Sequence, residues 1–307
     1  MFGVNTMIKT DLESIVGTDG VIARQPLSKY TSFQVGGPAD FLVLPRDNQQ
    51  IAQVSVYCTK NNIPLHVLGR GTNVLVSDNG LKGVVIALGE NLSGVKVAGC
   101  GIVAQAGASL PRVSSIALVN SLTGLEFANG IPGSIGGAVV MNAGAYDGEM
   151  KNVLRRVLAV DRRGEFITYR PEEMDLGYRS SIFQRNSHII LEAELELVPG
   201  DALAIQEKMN EFSRLRREKQ PLDKASAGST FRRPPGYYAG QLIESCNLRG
   251  MVLGGAAVSE KHCGFIINAN QATAQDIYNL IRKVQAEVQK KHNVQLAPEV
   301  KIWGEFQ

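Results

Sequence analysis

The stretch GIPGSIGGAVVMNAGAYDGE at residues 130 to 149 decides the fold, because its glycines let backbone amide groups approach a bound anion closely. A helix that begins near Ser134 would direct its free amide groups and the positive end of its dipole toward a phosphate. A second loop, GRGTN at residues 69 to 73, lies between the apolar segments PLHVL and VLVSD and therefore at a strand end. Two such loops together predict a diphosphate-binding site.

Two properties of these loops limit what they predict. Either loop on its own is equally well explained as a tight turn, since glycine is also a usual turn residue. Neither loop contains the G-x-G-x-x-G pattern of a Rossmann fold or the G-x-x-x-x-G-K-[ST] pattern of a P-loop. The sequence therefore predicts a nucleotide-binding fold of a different kind.

Apolar periodicity predicts alternating strands and helices around the two loops. The spacing predicts strands at 41–44, 65–68, 83–88 and 101–107, and helices after Asp47 and over 110–120. The segments VLAVD and GEFITY flank Arg162-Arg163-Gly164 in a hairpin pattern, and HIILEAELELV alternates like a long strand. This order predicts an α/β or α+β framework with an antiparallel element.

The last third of the chain has the pattern of a separate compact α+β unit. A charged helical run over 202–219 ends at Gln220-Pro221, and we place the main domain boundary near it. A helix around 238–246, the apolar runs MVLGGAAV and GFIINAN, and a long helix over 273–291 follow.

Composition excludes several classes of protein. The 307 residues predict two or three compact units. A net charge of +3, from 32 basic and 29 acidic side chains, gives no case for binding nucleic acid or a membrane surface. The chain shows neither a signal peptide nor a stretch of roughly 20 apolar residues. Its four cysteines and four histidines have no metal-ligand spacing, which predicts reduced thiols in a cytoplasmic protein without a metal.

The two glycine loops resemble the FAD-diphosphate loops of the vanillyl-alcohol-oxidase type. Four further segments are similar to one family within that group: YTSFQVGGPAD at 30–40, LGYRSSIF at 176–183, SAGSTFRRP at 226–234 and LAPEVKIWGE at 296–305. This is the family of UDP-N-acetylenolpyruvoylglucosamine reductases. The resemblance covers nearly the whole chain in the expected order. The short distance from Arg179 to Ser229 resembles the family's shorter, type II subclass, which lacks an extra substrate-covering loop.

The resemblance implies an α+β fold with a two-lobed FAD-binding region, at 1–88 and 89–200, and a C-terminal α+β substrate-binding domain at 201–307. FAD would be noncovalent, because neither loop has a histidine attachment motif, and NADPH would donate the hydride. Thr72 stands where many members have serine, but a hydroxyl is retained. The implied FAD contacts are Gly69, Arg70, Gly71, Thr72, Asn73, Gly130, Ile131, Pro132, Gly133, Ser134, Gly136, Gly137, Gly144 and Ala145.

Three residues match the family's catalytic positions. The resemblance makes Ser229 the proton donor to a carbanion-like intermediate, Arg179 the contact of the enolpyruvyl carboxylate, and Glu299 the residue that polarises or helps protonate it. Without the resemblance, Ser229 is better explained as a turn hydroxyl, Arg179 as a surface ion pair and Glu299 as an exposed strand carboxylate.

The predicted substrate contacts rest on weaker patterns. Lys219, in KQPLDK, resembles the family's substrate-diphosphate lysine, and Arg233 in FRRP is a second phosphate candidate. The neighbouring cations Arg214, Arg216 and Arg217 are equally well explained as a solvated helix face. Tyr178 is a possible pocket residue, although a packed tyrosine is the simpler interpretation, and His262 is better explained as structural.

Two other functions compete with the reductase. An oxidase of an alcohol or a sugar on the same FAD fold would share the glycine loops but would have no need of Arg179, Ser229 and Glu299. A nucleotide-sugar binding protein that has lost catalysis is the other alternative, and the intact set of three argues against it.

Overall fold

The computed structural model describes residues 2–307, which contain both helices and strands, with several strands in succession between most α-helices. Its α-helices are α1 (Phe2–Val16), α2 (Asn48–Lys60), α3 (Leu110–Val119), α4 (Ile135–Val140), α5 (Ala202–Lys219), α6 (Ala239–Ser245) and α7 (Ala274–His292). Within residues 2–307, no helix is long and apolar enough to cross a membrane.

The strands are short, with the longest in the middle of the chain. They are β1 (Val21–Pro26), β2 (Pro38–Val43), β3 (Leu65–Leu68), β4 (Val74–Val76), β5 (Leu81–Ala87), β6 (Val95–Ala98), β7 (Gly101–Gln105), β8 (Leu122–Thr123), β9 (Gly144–Ala145), β10 (Gly148–Glu149), β11 (Leu154–Val160), β12 (Phe166–Tyr169), β13 (Ile189–Glu196), β14 (Val198–Pro199), β15 (Ala225–Ser226), β16 (Val252–Leu253), β17 (Ala256–Val258), β18 (Ile266–Asn268) and β19 (Lys301–Trp303). The predicted strands near 41–44, 65–68, 83–88 and 101–107 are confirmed.

The chain forms two compact units, each with segments that are distant in sequence. The first unit comprises residues 1–24, 41–70 and 83–215, and the second comprises 25–40, 71–82 and 216–307. Packing therefore groups 25–40 and 71–82 with the C-terminal residues. The three-part division into 1–88, 89–200 and 201–307 stays a prediction.

The first unit contains a five-stranded antiparallel sheet in the order β12-β11-β13-β7-β6. The predicted hairpin pairs Val160 with Phe166, and the Asp161 carboxylate accepts from the amides of Arg163 and Glu165 at 2.8 and 2.9 Å inside its turn. In β13, Ile189 and Ile190 are both buried, and from Leu191 to Glu196 buried residues alternate with more exposed ones, as the sequence pattern predicted. Strand β3, which precedes the GRGTN loop, pairs in parallel with β5 in a separate four-stranded sheet.

Helix ends in the first unit follow ordinary capping rules. The Asp47 carboxylate accepts from the Gln50 amide at 2.8 Å, so the predicted cap of α2 is confirmed. Helix α2 buries Ile51 and Val54 in the core of this unit. Each fully buried aliphatic side chain of this kind contributes about 1.5 to 3 kcal/mol, so this apolar stripe fixes α2 in place.

The second unit places α7 against a four-stranded antiparallel sheet in the order β15-β18-β17-β16. Helix α7 begins with a capping box between Thr273 and Asp276 and ends at Asn293 in a left-handed conformation. The Asp78 carboxylate accepts from the first amides of α7, Ala274 and Gln275, both at 2.9 Å. This contact, with the parallel pair β4 and β19, attaches residues 71–82 to the C-terminal part of the chain.

Candidate functional site

The GRGTN loop presents a row of backbone amide groups. Gly71 has a φ of +64°, and a Cβ there would lie 1.9 Å from the Tyr30 carbonyl oxygen, so only glycine fits. Within residues 2–307, none of the five backbone amides at 69–73 donates to a protein group. Consecutive unpaired amides of this kind bind anions, so the loop fits the diphosphate of FAD.

The second glycine loop is organised differently from the prediction. Helix α4 does begin after Ser134, whose Oγ accepts from the Gly137 amide at 3.3 Å. The amides of Ile135 and Gly136 donate to the carbonyls of Ala108 and Ala106, each at 2.9 Å. The expectation that α4 offers free first-turn amides to a phosphate is therefore wrong, because carbonyl groups just after β7 already accept them.

The two glycine loops contact each other within the first unit. A Cβ built on Gly69 would lie 2.3 Å from Ser134 Oγ, so the loops touch at a point where a side chain has no room. In the second loop, within residues 2–307, the amides of Gly130 and Ser134 have no protein acceptor. The unpaired amides at Gly69 and Ser134 therefore lie on neighbouring segments, as a shared diphosphate site requires.

Residues 144–149 form a tight hairpin after α4. Strands β9 and β10 pair Ala145 with Gly148, and the two turn residues between them, Tyr146 and Asp147, have φ angles of 51° and 63°. These left-handed values are those of a type I′ turn, in which Asn-Gly is usual. The Tyr146 ring stacks on Phe212 of α5 at 4.4 Å and 7°, and its hydroxyl donates to the Phe212 carbonyl at 3.2 Å. This contact stabilises the unusual turn.

Arg179 occupies a strained position in the first unit. Gly177 and Ser180 exchange backbone hydrogen bonds of 3.1 and 3.2 Å, which makes Arg179 the third residue of a four-residue turn. Its φ is 52°, a conformation for which turns normally use glycine or asparagine. Strain of this sort is typical of functional residues. The guanidinium Nη2 donates to the carbonyl of Gly144 at 3.2 Å, so it contacts a predicted FAD-binding residue.

Ser229 and Glu299 lie on neighbouring segments of the second unit. The Glu299 amide donates to the carbonyl of Thr230 at 2.8 Å, and Phe231 and Pro298 form an antiparallel bridge. Ser229 is exposed and Glu299 is partly buried. Asn73 joins the GRGTN loop to the same segment, because its Nδ2 donates to the Glu299 carbonyl at 3.3 Å and its own carbonyl accepts from the Lys301 amide at 3.0 Å.

A cation follows Glu299 two residues later in the chain. Burial lowers the pKa of Lys301, and the charge of Arg232 lowers it further. Sequence reasoning missed Lys301 and Thr230 as contributors. It named Asn73 as an FAD contact but did not predict its bonds to the segment of Glu299, because nothing in a single sequence shows that 71–73, 229–232 and 297–301 pair with one another.

The predicted substrate contacts are exposed side chains. Lys219 is the last residue of α5, and Arg233 lies with its guanidinium carbon 3.8 Å from the centre of the Tyr238 ring. Tyr178 is 55% exposed, and the Arg179 guanidinium carbon lies 5.3 Å from its ring centre. Tyr178 and Arg179 belong to the first unit, whereas Lys219, Arg233, Ser229 and Glu299 belong to the second. Their roles stay predictions.

His262 has the contacts of a structural residue. Its ring packs edge-on against Phe265 at 5.0 Å, and its Nδ1 accepts from the Gly264 amide at 3.1 Å. Burial lowers its pKa, which favours the neutral ring that this hydrogen bond requires.

Two family descriptions match the chain. Residues 39–170 match an FAD binding domain, and residues 220–303 match the C-terminal domain of UDP-N-acetylenolpyruvoylglucosamine reductase. The first match contains both glycine loops and the second contains Ser229 and Glu299. Together with the mixed helices and strands of the structure, they confirm the predicted α+β fold, an FAD-binding region followed by a C-terminal domain.

Individual proteins are similar over nearly the full length. The UDP-N-acetylenolpyruvoylglucosamine reductase of Caldanaerobacter subterraneus is 48% identical over 96% of this chain and 97% of that protein. The protein of the same name from Clostridium botulinum is 47% identical over 95% of each chain. The crystal structure of the Thermus caldophilus reductase is 36% identical, with a TM-score of 0.80, and the match covers 92% of this chain and 98% of that one.

Proposed function

The chain belongs to the UDP-N-acetylenolpyruvoylglucosamine reductase family, and we propose that it reduces the enolpyruvyl double bond of UDP-N-acetylglucosamine enolpyruvate to give UDP-N-acetylmuramate. It is an FAD-containing oxidoreductase of peptidoglycan precursor synthesis and cell-wall biogenesis. The observation that carries this proposal is the full-length similarity to reductases, which includes both FAD loops and the second-unit segments that bear Ser229 and Glu299. We place the enzyme in the cytoplasm, where its free cysteines would stay reduced.

The glycine loops fit a noncovalent FAD. The unpaired amides at 69–73 and at Ser134 supply donors for the diphosphate, and the contact between Gly69 and Ser134 brings donors from the two loops close together. FAD held by these loops would supply the hydride, taken from NADPH, that reaches the methylene carbon of the enolpyruvyl group. Neither loop contains a histidine, so the protein holds the cofactor by hydrogen bonds and packing.

Arg179 binds the carboxylate of the enolpyruvyl group. A guanidinium presents planar, paired donors that match a carboxylate, and it stays charged throughout the reaction. As hydride reaches the methylene carbon, negative charge grows toward this carboxylate, and a fixed cation there stabilises the transition state more than the ground state. The turn from Gly177 to Ser180 and the contact with Gly144 hold the arginine in place before substrate binds.

Ser229 supplies the proton that completes the reduction. Its hydroxyl proton goes to the carbon that bears the ether oxygen and the carboxylate, and water later returns a proton to the serine oxygen. Glu299, on the paired segment, polarises the enol carboxylate in the same step. The bond from the Glu299 amide to the Thr230 carbonyl keeps the two segments in register.

Lys219 and Arg233 bind the diphosphate of the nucleotide sugar, and Tyr178 contributes to the substrate pocket. A lysine binds phosphate as a point charge at the end of a flexible side chain. The stack of Arg233 on Tyr238 fixes the plane of its guanidinium and lowers the entropy lost when it binds a phosphate.

An anaerobic visible spectrum tests both halves of this reaction. Purified protein with FAD is recorded alone, after NADPH, and after UDP-N-acetylglucosamine enolpyruvate. We expect yellow protein that bleaches with NADPH and regains its colour with the enolpyruvyl substrate. Bleaching without recovery would reject this substrate, and a protein that cannot take up FAD would reject the whole proposal.

A further inference from the structure

A buried asparagine connects the turn that carries Arg179 to the glycine hairpin. Asn142 is 0% exposed. Its Nδ2 donates to Glu149 Oε2 at 2.7 Å and to the Gly177 carbonyl at 3.1 Å. Its Oδ1 accepts from the Lys151 amide at 2.9 Å. Both amide hydrogens and the amide oxygen are therefore used. Glu149 is the last residue of the hairpin at 144–149, Lys151 follows it, and Gly177 belongs to the arginine turn.

We propose that Asn142 is a positioning residue for reduction of the enolpyruvyl group, acting through Gly177 on the guanidinium of Arg179. The inference rests on the proposed function, in which Arg179 binds the substrate carboxylate. Asn142 does not touch the substrate itself. It ties the start of the arginine turn to the chain that follows the predicted FAD contacts Gly144 and Ala145.

The arginine turn needs such a support because its own conformation is unfavourable. A left-handed conformation is unfavourable for a residue other than glycine, so other contacts must hold Arg179 at a φ of 52°. Asn142 donates to the Gly177 carbonyl, and Gln184 Nε2 donates to the Arg179 carbonyl at 3.0 Å. Gln184 also bonds the carbonyl of Val140 at the end of α4 at 2.9 Å. Both bonds join the turn to the α4 region.

Asparagine is suited to this place for two reasons. Its φ is 40°, and asparagine and aspartate tolerate that region better than other side chains. Its amide also provides two donors and one acceptor, which match a carbonyl, a carboxylate and a backbone amide. Asn142→Asp keeps the size and the backbone preference but replaces both donors with acceptors that face Glu149 and Gly177.

The decisive experiment separates the two half-reactions in the FAD-loaded enzyme. For Asn142→Asp we expect flavin reduction by NADPH within about twofold of the unaltered enzyme. Reoxidation by UDP-N-acetylglucosamine enolpyruvate should slow by about 100-fold, the loss expected when a catalytic group is displaced by about 1 Å. Calorimetry should show weaker binding of this substrate to the oxidised protein, which measures the carboxylate contact without any turnover. Asn152→Ala is the matched control, because Asn152 bonds the Glu149 amide at 3.0 Å in the same loop but does not bond the arginine turn.

A double variant that exchanges the amide and the carboxylate of residues 142 and 149 distinguishes positioning of Arg179 from general stabilisation of the 144–149 hairpin. In Asn142→Asp with Glu149→Gln, the new amide can donate to the new carboxylate, so the bond at 149 is restored while the Gly177 carbonyl still lacks its donor. We expect the thermal midpoint to recover and substrate reduction to stay slow. Recovery of substrate reduction together with the thermal midpoint would overturn the proposal.

Two further results separate a failure of the positioning role from a failure of the proposed function. Equal slowing of both half-reactions by Asn142→Asp would overturn the positioning role, and an unaltered enzyme that the enolpyruvyl substrate cannot reoxidise would instead overturn the proposed function. If Asn142→Asp does not retain FAD, Asn142→Gly removes the donors without adding a charge and keeps the left-handed backbone. The same selective loss is required of it, and failure of this variant to hold FAD as well would overturn the proposal.

Discussion

Glu299 donates its backbone amide to the carbonyl of Thr230 at 2.8 Å, which fixes the segment of the predicted proton donor against the segment of its predicted carboxylate partner. Thr230 is only 1% exposed, and its carbonyl, amide and hydroxyl groups all form hydrogen bonds. Its own amide donates to Gly264 at 2.8 Å, and its Oγ1 accepts from the Ile266 amide at 3.0 Å. One buried threonine thus connects Ser229, Glu299 and strand β18.

Thr230→Val should destabilise the second unit. The substitution keeps the shape but leaves the Ile266 amide buried without its acceptor, which typically costs about 1 to 3 kcal/mol. Urea unfolding should show a fall in the free energy of unfolding within that range, with an unchanged slope against urea. Thr230→Ser keeps the hydroxyl and should lose less; equal losses in the two variants would mean that the hydrogen bond is not the cause.

Ser229→Ala should separate the half-reactions. The hydroxyl is needed only after hydride transfer to the substrate, so flavin reduction by NADPH should stay near normal. Reoxidation by the enolpyruvyl substrate should fall by roughly 10²- to 10⁴-fold, the usual contribution of a positioned acid. Stopped-flow spectroscopy measures both steps, and Ser226→Ala in the neighbouring strand β15 is the control. Equal slowing of both steps would remove Ser229 from the proton-donor role.

Replacement of Arg179 should change the stability of the protein and its activity in different ways. Because its φ is 52°, Arg179→Gly should be more stable than Arg179→Ala by about 1 kcal/mol, since only alanine suffers the left-handed strain. Both variants remove the guanidinium, so both should lose most of their substrate reduction while retaining FAD. Thermal unfolding and a flavin spectrum give the two readouts. A glycine variant no more stable than the alanine variant would show that the turn is not strained.

Gly69→Ala should weaken FAD binding by forcing the two glycine loops apart. The new methyl group would lie 2.3 Å from Ser134 Oγ, and overpacking of this kind costs roughly 1 to 3 kcal/mol. Ser134→Ala removes that oxygen, so the double variant should bind FAD better than Gly69→Ala alone. A double-mutant cycle on FAD affinity measures the coupling. Strictly additive losses would contradict contact between these residues.

The sequence predicts the elements of this fold better than their assembly. Helices α2, α3, α5 and α7 and the hairpin around Arg163 and Gly164 follow from periodicity and capping residues, because those signals are local. The contact that holds 71–82 in the second unit is not local, since Asp78 caps a helix that begins 196 residues later. The first helix, Phe2–Val16, was not predicted from the sequence.

For the candidate site too, local features could be predicted from the sequence and contacts between distant segments could not. Glycine spacing identified both loops, and the structure brings Gly69 and Ser134 together. The prediction of free amides at the start of α4 was wrong, because carbonyl groups from another segment accept from Ile135 and Gly136. Asn142 lies inside the glycine-rich segment 130–149, but its role could not be predicted, since an Asn-Ala-Gly sequence resembles an ordinary turn.

Cys58 should resist alkylation at pH values where ordinary thiols react. Its side chain is 0% exposed, and burial raises its pKa to about 12, whereas a free thiol titrates near 8.5. The thiolate is the nucleophile, so Cys58 should stay unmodified when the pH is raised from about 7 to 9, and the partly exposed Cys100 and Cys246 serve as accessible reference thiols. Mass spectrometry after iodoacetamide treatment measures each site, and the same treatment in urea should modify Cys58 as fast as the other two. Modification of Cys58 in the folded protein at pH 9 would show that the first unit opens around α2 far more often than its packing implies.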